Sequence, residues 1–466
     1  MNAWTPDAAR SAWAALAVAL WLALWLIPWR QRRHGHIRPS GGGAQGEPIL
    51  IAYASQSGQG AQWAERTAQQ LASQGCAVRL LPLNRLNGAQ LQGATRLLLV
   101  ASTTGEGDAP DNAALFESRL MHAPQQLQKL QYGLVARGDR SYARFCGFGR
   151  RLNDWLQASG AGAAFAPLEA DNDDPQVWQA WLQNCARFAG TSTLKGEAMT
   201  PAPGALSAPQ AWRLQQRHVL NAGSPGAPVH HLVLQPLDAG AHWQAGDVVR
   251  IHLPAREGQA AAWREYSLAS LPHEGRAELL VREVHRPDGS AGRGSGWLCR
   301  ELALGDTLTL QLRSNPGFHG PAAERLLILI GNGTGLAGLA ALLTAREQAR
   351  HAGQAVAPAW LMFGERSASA DRHWDSRLQA WRTQGLLQQL DRAFSREPGT
   401  AARYVQDLIA PQAAMLRDWV GRGAALYVCG QRQGMAQSVH RALEAVLGEE
   451  ALAQLAASGR YRRDVY

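Results

Sequence analysis

Lysine is almost absent from this sequence of 466 residues. Only Lys129 and Lys195 are lysines among the 46 basic residues, and the arginines are scattered through an Ala-rich chain instead of forming a stripe. The formal net charge of +9 therefore reflects composition and does not indicate a nucleic-acid-binding surface.

Cysteine is also scarce. The five cysteines are odd in number, lie far apart and include no pair with CxxC spacing. This pattern argues against a disulfide scaffold and against a zinc site, so no metal is predicted. Charged residues make up only 18% and hydrophobic residues 46% of a chain long enough for several domains, so the sequence can build large cores and is not generally disordered.

One long uncharged run is present, in residues 11–29. At 1.5 Å per residue its length approaches the thickness of a bilayer core, so it predicts one transmembrane helix within an anchor of residues 1–30. Arginines follow it, which places the rest of the chain in the cytosol and predicts a single-pass protein of the inner membrane. A cleaved signal peptide is the alternative. A Gly-rich linker follows at residues 31–46.

Three apolar runs in residues 47–190 predict buried strands, and each is followed by a polar loop that contains glycine. The loops are residues 55–60 (SQSGQG), 102–108 (STTGEGD) and 138–146 (GDRSYARFC). Because loops that leave successive strands of a doubly wound sheet meet at one edge, they predict a single site. The first loop precedes a helix, whose N-terminus favours a phosphate.

These loops resemble the FMN-binding loops of flavodoxins, most of all those of the NADPH-dependent diflavin reductase family. The resemblance implies a flavodoxin-like domain with Tyr142 stacked on the isoalloxazine ring. It assigns to FMN the residues Ser55, Gln56, Ser57, Gly58, Gln59, Gly60, Ser102, Thr103, Thr104, Gly105, Gly138, Asp139, Tyr142, Phe145 and Cys146. Thr104 stands where many family members have an aromatic residue. The acidic run at 171–174 is either a docking site for a basic partner or a solvated surface.

A Pro/Gly/Ser/Thr-rich linker at residues 191–211 precedes a second half. Residues 212–320 have short β patterns broken by turns, which predicts an antiparallel β-barrel. Its motif Arg264-Glu-Tyr-Ser267 offers a guanidinium for a pyrophosphate, an aromatic ring and a hydroxyl. In residues 321–466, a buried strand runs into GNGTG at 331–335 and then a helix, a unit suited to a dinucleotide.

With the later segments FGER, AFSR, YVQ, LYVCG and the terminal RYRRDVY, this half resembles the ferredoxin–NADP reductase superfamily in its diflavin branch. Its end is most similar to the flavoprotein subunit of bacterial sulfite reductase. The resemblance implies FAD contacts from Arg264, Tyr266, Ser267, Gly294, Ser295 and Tyr466. It implies NADP contacts from Gly333, Thr334, Arg366, Ser395, Arg396, Tyr404 and Gln406. It implies catalytic roles for Ser267, Cys429, Asp464 and Tyr466.

Two features depart from the family pattern. The spacing from Ser395 to Tyr404 is one residue longer than usual, so Arg403 takes the place of the family's lysine. Gly246 and Arg264 are only 18 positions apart, so the helical connecting insert of larger relatives is missing. The sequence therefore indicates a short form of the family.

The expected activity is electron transfer from NADPH through FAD and FMN to a redox protein that takes one electron at a time. The acceptor would be a haem, sirohaem or iron–sulfur protein, with a haem protein favoured because of the predicted anchor. A sulfite reductase flavoprotein component and a ferric-chelate reductase are the alternatives. A regulatory flavoprotein that binds the cofactors without turnover is the rival of another class.

Overall fold

The computed structural model describes the chain from residue 47 onward, with short gaps. The described residues are 47–55, 58–104, 107–140, 144–172, 174–191, 194, 206–256, 260–286, 288–397, 399 and 402–466. They form two compact units that divide between residues 200 and 201. Each unit is described separately below.

The first unit is a parallel sheet covered by helices. Its strands are β1 (Ile49–Ala54), β2 (Val78–Pro82), β3 (Arg96–Ser102), β4 (Gln131–Gly138), β5 (Gly162–Ala163) and β6 (Leu168–Asp171). Its helices are α1 (Gln59–Ser73), α2 (Gly88–Gln92), α3 (Asp111–Leu120), α4 (Gly147–Ala158) and α5 (Pro175–Ala189). The strand order is β2-β1-β3-β4-β5, with β6 also paired to β4. This is a doubly wound arrangement, as predicted.

Both faces of this sheet are buried, which explains the continuous apolar runs in its strands. Along β1, Leu50 and Ala52 belong to one core while Ile49 and Ile51 belong to the other. Successive side chains point to opposite faces, so a strand such as β1 that is buried on both faces is apolar along its length. The loops that follow β1, β3 and β4 therefore lie together at the carboxyl edge of the sheet.

The second unit begins with a six-stranded antiparallel sheet. Its strands are β7 (Gln210–Val219), β8 (Val229–Pro236), β9 (Val248–Leu253), β10 (Ala262–Ser267), β11 (Ala277–Arg282) and β12 (Thr307–Arg313), and the short helix α6 (Arg293–Gly296) lies between the last two. The order is β10-β9-β12-β7-β8-β11. An antiparallel sheet stands where the sequence predicts an antiparallel barrel. β9 and β10 pair directly along their length, from Leu253 opposite Ala262 to Val248 opposite Ser267.

The rest of this unit is a parallel sheet with helices. Its strands are β13 (Leu327–Asn332), β14 (Ala359–Glu365), β15 (Leu387–Phe394), β16 (Ala425–Gly430) and β17 (Tyr461–Val465). Its helices are α7 (Leu336–His351), α8 (Asp375–Thr383), α9 (Ala413–Gly421), α10 (Gln437–Leu447) and α11 (Glu449–Ala457). The strand order is β15-β14-β13-β16-β17, so the chain adds strands first on one side of β13 and then on the other. Ligands of open α/β sheets bind at such a point, here between β13 and β16.

A buried carboxylate joins the two sheets of the second unit. Glu278 on β11 lies 2.7 Å from Arg276 and 3.2 Å from His231, and Arg377 of α8 lies 3.7 Å from it. Burial alone would raise the pKa of Glu278, but the hydrogen bonds from His231 and Arg276 and the Arg377 charge outweigh it and lower the pKa to about 2. Ionised Glu278 therefore stabilises the contact between the antiparallel sheet and helix α8 of the parallel-sheet region.

Glu278→Gln is expected to destabilise the second unit by roughly 2–3 kcal/mol at pH 7. A carboxyl whose pKa is lowered on folding stabilises the fold above its ordinary pKa and loses that contribution as the pH falls through the folded value. The difference between wild type and variant should therefore shrink between pH 4.5 and about pH 2. Urea unfolding followed by tryptophan fluorescence at pH 7 and pH 3 measures it.

Glu301→Gln is the matched control, because it removes an exposed carboxylate paired with the surface Arg256. We expect less than about 1 kcal/mol from that change. A Glu278→Gln penalty that is the same at both pH values would contradict the electrostatic explanation.

No helix among the residues described from position 47 onward is long and apolar enough to cross a bilayer. This finding contradicts the prediction of a single-pass protein of the inner membrane with its catalytic domains in the cytosol, and that prediction is withdrawn. The segment predicted as an anchor, residues 1–30, and the linker at 31–46 lie outside the described residues.

Candidate functional site

The first predicted phosphate loop is held by two hydrogen bonds of Ser55, the residue after β1. The Ser55 hydroxyl accepts a hydrogen bond from the Gly60 amide at 3.1 Å. The Ser55 amide donates to Oδ1 of Asn112, in the first turn of α3, at 2.8 Å. Gly58 has a left-handed backbone with φ of 85° and leads into α1, which begins at Gln59. Ser55, Gly58 and Gly60 therefore lie at the N-terminus of a 15-residue helix, where amide groups favour an anion.

Buried hydroxyl groups face this loop from the end of β3. The hydroxyl oxygens of Ser102 and Thr103 are buried and, within the described part of the chain, have no hydrogen-bond partner. The Cβ of an alanine at Gly60 would lie 2.5 Å from the Ser102 hydroxyl, so the two loops are in contact. Leaving a buried hydroxyl without a partner costs about 1–3 kcal/mol, which a bound phosphate or flavin would offset. Thr104 forms an antiparallel bridge with Asp108.

The third loop leaves β4 and turns into α4. The backbone of Gly138 lies close to Phe145 and Cys146, with 2.8 Å from the ideal Cβ position of residue 138 to the Cys146 amide nitrogen. Phe145 lies under the Arg140 guanidinium at 5.0 Å. Burial raises the pKa of the Cys146 thiol to about 12, so this thiol is neutral and packs as part of the core. Asp139 follows Gly138 at the carboxyl end of β4.

Some of the predicted FMN residues lie outside the described residues, namely Gln56, Ser57, Gly105 and Tyr142. Of the acidic run, Asp174 caps α5 by accepting hydrogen bonds from the amides of Gln176 and Val177. Asp171 accepts from the Arg140 amide at 3.2 Å. These two carboxylates have structural roles within the unit.

In the second unit, the REYS motif of β10 lies against α6. The ideal Cβ position of Gly294 is 2.8 Å from the Tyr266 hydroxyl and 3.0 Å from Cγ of Arg264. Buried Ser295 accepts a hydrogen bond from the Val284 amide at 3.0 Å. Four of the residues that the resemblance assigns to FAD, Arg264, Tyr266, Gly294 and Ser295, are thus brought together.

Ser267, Cys429 and Asp464 also form one cluster, although they come from three separate strands. The Ser267 hydroxyl donates to the Asp464 carboxylate at 2.9 Å, and the Cys429 sulfur lies 3.9 Å from the same oxygen. Burial, together with the Asp464 charge, raises the pKa of the fully buried Cys429 thiol well above its usual value. The cluster therefore combines one carboxylate, one hydroxyl and one neutral thiol.

Tyr466, the last residue, lies beside the glycine loop after β13. Its amide donates to the Gly430 carbonyl at 3.2 Å, and its hydroxyl lies 3.1 Å from the Thr334 hydroxyl. The side chain is 55% exposed. An aromatic ring with one free side at this edge can lie against a flat ligand.

Two arginines with buried, unpaired guanidinium atoms lie around the same loop. Nη1 of Arg366 and Nη1 of Arg282 are buried and have no hydrogen-bond partner among the residues that the structure describes. The other Nη of Arg282 donates to Glu365 at 2.9 Å and lies 3.2 Å from the ideal Cβ position of Gly333. Burial and the nearby Arg282 charge lower the pKa of Arg366. Two guanidinium groups, each with one buried nitrogen that has no partner among the described residues, suit a pyrophosphate beside a glycine loop.

The segment after β15 lies next to Arg366. The amides of Ser395 and Arg396 donate to the carbonyls of Glu365 and Arg366 at 2.9 and 2.8 Å. The Arg403 guanidinium donates to the Ser395 carbonyl at 3.3 Å. Exposed Tyr404 precedes the short helix Val405–Leu408, which contains Gln406. Arg403 thus reaches the region where the sequence analysis places it.

Sequence reasoning missed Asn112 and Arg282. Asn112 carries no motif, because its role depends on a contact 57 positions away with Ser55. Arg282 ends an apolar strand of the antiparallel sheet. A charged residue at that position is noticeable in the sequence, but the sequence does not show which residues lie next to it.

Comparison with known proteins agrees with this geometry. Residues 51–180 match the flavodoxin family. The chain is also similar to proteins named sulfite reductase (NADPH) flavoprotein alpha-component. That of Vibrio vulnificus is 26% identical over 542 positions, which cover 90% of this chain and 87% of the relative. That of Bacillus subtilis is 24% identical over 551 positions, 91% of this chain and 90% of the relative. That of Neisseria meningitidis is 26% identical over 546 positions, with 90% and 89% covered. These matches support the resemblance of this chain to the diflavin reductase family.

Proposed function

We propose that the chain is an NADPH-dependent diflavin reductase that acts as the flavoprotein component of a sulfite reductase. The observation that carries this proposal is the similarity to sulfite reductase flavoproteins along 90% of the chain. A haem protein acceptor of another kind is the expectation from the sequence, but the relatives favour the alternative, in which the partner is a sirohaem protein. The flavodoxin match and the flavoprotein relatives imply FMN, FAD and NADPH as cofactors.

The proposed division of the chain keeps the predicted boundaries: an FMN domain at 47–190, an FAD domain at 212–320 and an NADP domain at 321–466. Absence of the connecting insert is part of the proposal. It is supported by the direct pairing of β9 with β10 and by an alignment of 542 positions, longer than the chain of 466 residues.

The residues fit the proposed cofactors. The unpaired Ser102 and Thr103 hydroxyls suit FMN, and the unpaired guanidinium atoms of Arg282 and Arg366 suit the NADP pyrophosphate. When bound, FAD takes two electrons from NADPH as hydride, and FMN releases them singly to the acceptor.

The chain's own contribution to hydride transfer is the cluster of Ser267, Cys429 and Asp464. The Asp464 charge fixes the Ser267 hydroxyl, whose oxygen keeps lone pairs for a ligand donor. The neutral Cys429 thiol adds polarisable packing without a competing negative charge. Tyr466 covers the same edge and must move when nicotinamide takes its place.

Gly60→Ala is expected to weaken FMN retention about tenfold while FAD content stays unchanged. The added methyl group would meet the Ser102 hydroxyl at 2.5 Å and the Ala54 carbonyl at 3.1 Å, so it would push the first loop away from β3. Extraction and chromatographic quantification of both flavins measures the effect. The matched control is Gly88→Ala, where the nearest atom lies at 3.7 Å. Loss of FAD instead of FMN would show that the two flavin sites are reversed.

The acceptor is tested by mixing the purified chain with a sirohaem-containing sulfite reductase subunit and NADPH. We expect NADPH oxidation coupled to sulfide formation. Rapid cytochrome c reduction without sulfide formation would reject the sulfite reductase assignment and favour another haem protein. Bound flavins with no reduction of cytochrome c or ferricyanide would indicate a regulatory flavoprotein.

A further inference from the structure

The loop between β7 and β8 belongs to the antiparallel sheet but contacts the segment that follows β14. Asn221 fixes the loop, because its side-chain oxygen accepts a hydrogen bond from the Val229 amide at 2.7 Å and its amide group donates to the Ala227 carbonyl at 3.2 Å. The Ser224 hydroxyl accepts from the Gly226 amide at 3.0 Å. These bonds give residues 221–227 a defined shape.

Asp371 connects this loop to the segment that contains Arg366. Its carboxylate, on a residue only 2% exposed, accepts hydrogen bonds from Asn221 at 3.0 Å and from the Ser224 hydroxyl at 2.9 Å. The same carboxylate accepts from the Ser367 amide at 2.9 Å, one residue after Arg366. A buried carboxylate with three donors is satisfied, so it holds the two segments at a fixed separation.

At this separation, Gly226 lies directly against the Arg366 guanidinium. The ideal Cβ position of residue 226 is 2.0 Å from Nη1 of Arg366 and 2.8 Å from its Cδ. An alanine cannot fit there unless the arginine side chain moves. The guanidinium nitrogen that it contacts is the buried atom without a partner among the described residues.

We propose that the β7–β8 loop is part of the nucleotide site and that Gly226 is a positioning residue for Arg366. The inference rests on the proposed function, in which Arg366 binds the NADP pyrophosphate. The absence of a side chain at residue 226 lets the guanidinium pack against the loop, and Asp371 keeps the loop in place. The antiparallel sheet thereby contributes to the affinity for NADPH, although the dinucleotide motif lies in the parallel sheet.

The effect should not extend to the neighbouring segment. The Arg366 carbonyl accepts the Arg396 amide at 2.8 Å, and Ala368 donates to Glu397 at 2.8 Å. A change confined to the Arg366 side chain leaves both of these hydrogen bonds intact. Gly226→Ala should therefore weaken the pyrophosphate contact and leave discrimination between NADPH and NADH nearly unchanged.

The test uses the purified full chain with both flavins bound and measures the Kd of NADP⁺ by calorimetry together with kcat and KM for NADPH. Gly226→Ala is expected to raise Kd and KM about tenfold, with kcat at saturation reduced less than twofold and with flavin content unchanged. Gly421→Ala is the matched control, because no atom lies within 4 Å of the added methyl group. Ser224→Ala, which removes one donor to Asp371, should give a smaller rise.

The double variant Gly226→Ala/Arg366→Ala separates positioning from a general structural effect. If Gly226 acts through Arg366, the double variant should bind NADP⁺ no more weakly than Arg366→Ala alone. Additive losses, or an unchanged Kd in Gly226→Ala while Arg366→Ala binds weakly, would overturn the inference. A wild-type chain that does not bind NADP⁺ would instead reject the proposed function.

Discussion

Asp464→Asn is expected to slow the reduction of flavin by NADPH by about a hundredfold. Asp464 carries the one charge of the Ser267–Cys429–Asp464 cluster, and it accepts the Ser267 hydroxyl at 2.9 Å. An asparagine at this position can keep the shape, but its amide group can donate to Ser267 and turn the hydroxyl away. The cluster would then lose the orientation that hydride transfer requires.

Anaerobic stopped-flow bleaching of the flavin absorbance after mixing with NADPH measures this rate. KM for NADPH and FAD content should change little, because the nucleotide phosphates are assigned to arginines and not to the Ser267–Cys429–Asp464 cluster. Asp418→Asn serves as the control, since Asp418 forms an exposed pair with Arg422 within one helix turn. A rate that stays within a factor of three of wild type would remove Asp464 from the chemical step.

Arg396→Ala is expected to raise KM for NADPH roughly a hundredfold while KM for NADH changes less than twofold. The amide of Arg396 is bonded to the Arg366 carbonyl, so its side chain starts beside the proposed pyrophosphate site. A guanidinium there can bind the 2′-phosphate, which NADH lacks. Steady-state kinetics with both coenzymes gives the ratio.

The matched variant for this change is Arg422→Ala, which removes a surface arginine on the C-terminal side of α9. It should leave both KM values unchanged. Equal losses with NADPH and NADH in Arg396→Ala would mean that Arg396 contacts a part of the coenzyme common to both.

The parallel sheet of the first unit could be predicted from sequence because its strands are buried on both faces. Continuous apolar runs such as the one in β3, followed by small polar loops, mark both the strands and the edge where the loops meet. The α/β class and the flavodoxin-like domain are confirmed for this reason. Periodicity within each segment was sufficient, and no long-range contact had to be known.

Contacts between distant segments could not be predicted in this way. Asp371 bonds to Asn221 across 150 positions, and Glu278 of the antiparallel sheet meets Arg377 of helix α8. Nothing in the neighbourhood of Gly226 in the sequence distinguishes it from an ordinary turn glycine, because its constraint is the Arg366 side chain. These residues acquire their roles only when the two sheets of the second unit pack together.

The location was mispredicted because an uncharged run and the arginines after it were interpreted as a membrane anchor. The uncharged run at 11–29 led to the inner-membrane assignment, and that assignment then favoured a haem protein over sulfite reductase as the redox context. The relatives reverse that preference, since their similarity extends along most of both chains.

The order of the two flavins is tested most directly by removing FMN selectively from the full chain and comparing reduction of ferricyanide and cytochrome c by NADPH. If the two flavins act in series, the FMN-depleted protein should keep most of its ferricyanide reduction, while its cytochrome c reduction should fall about tenfold or more. Adding FMN back should restore the reduction of cytochrome c. Cytochrome c reduction that continues at the full rate without FMN would contradict the proposed electron path.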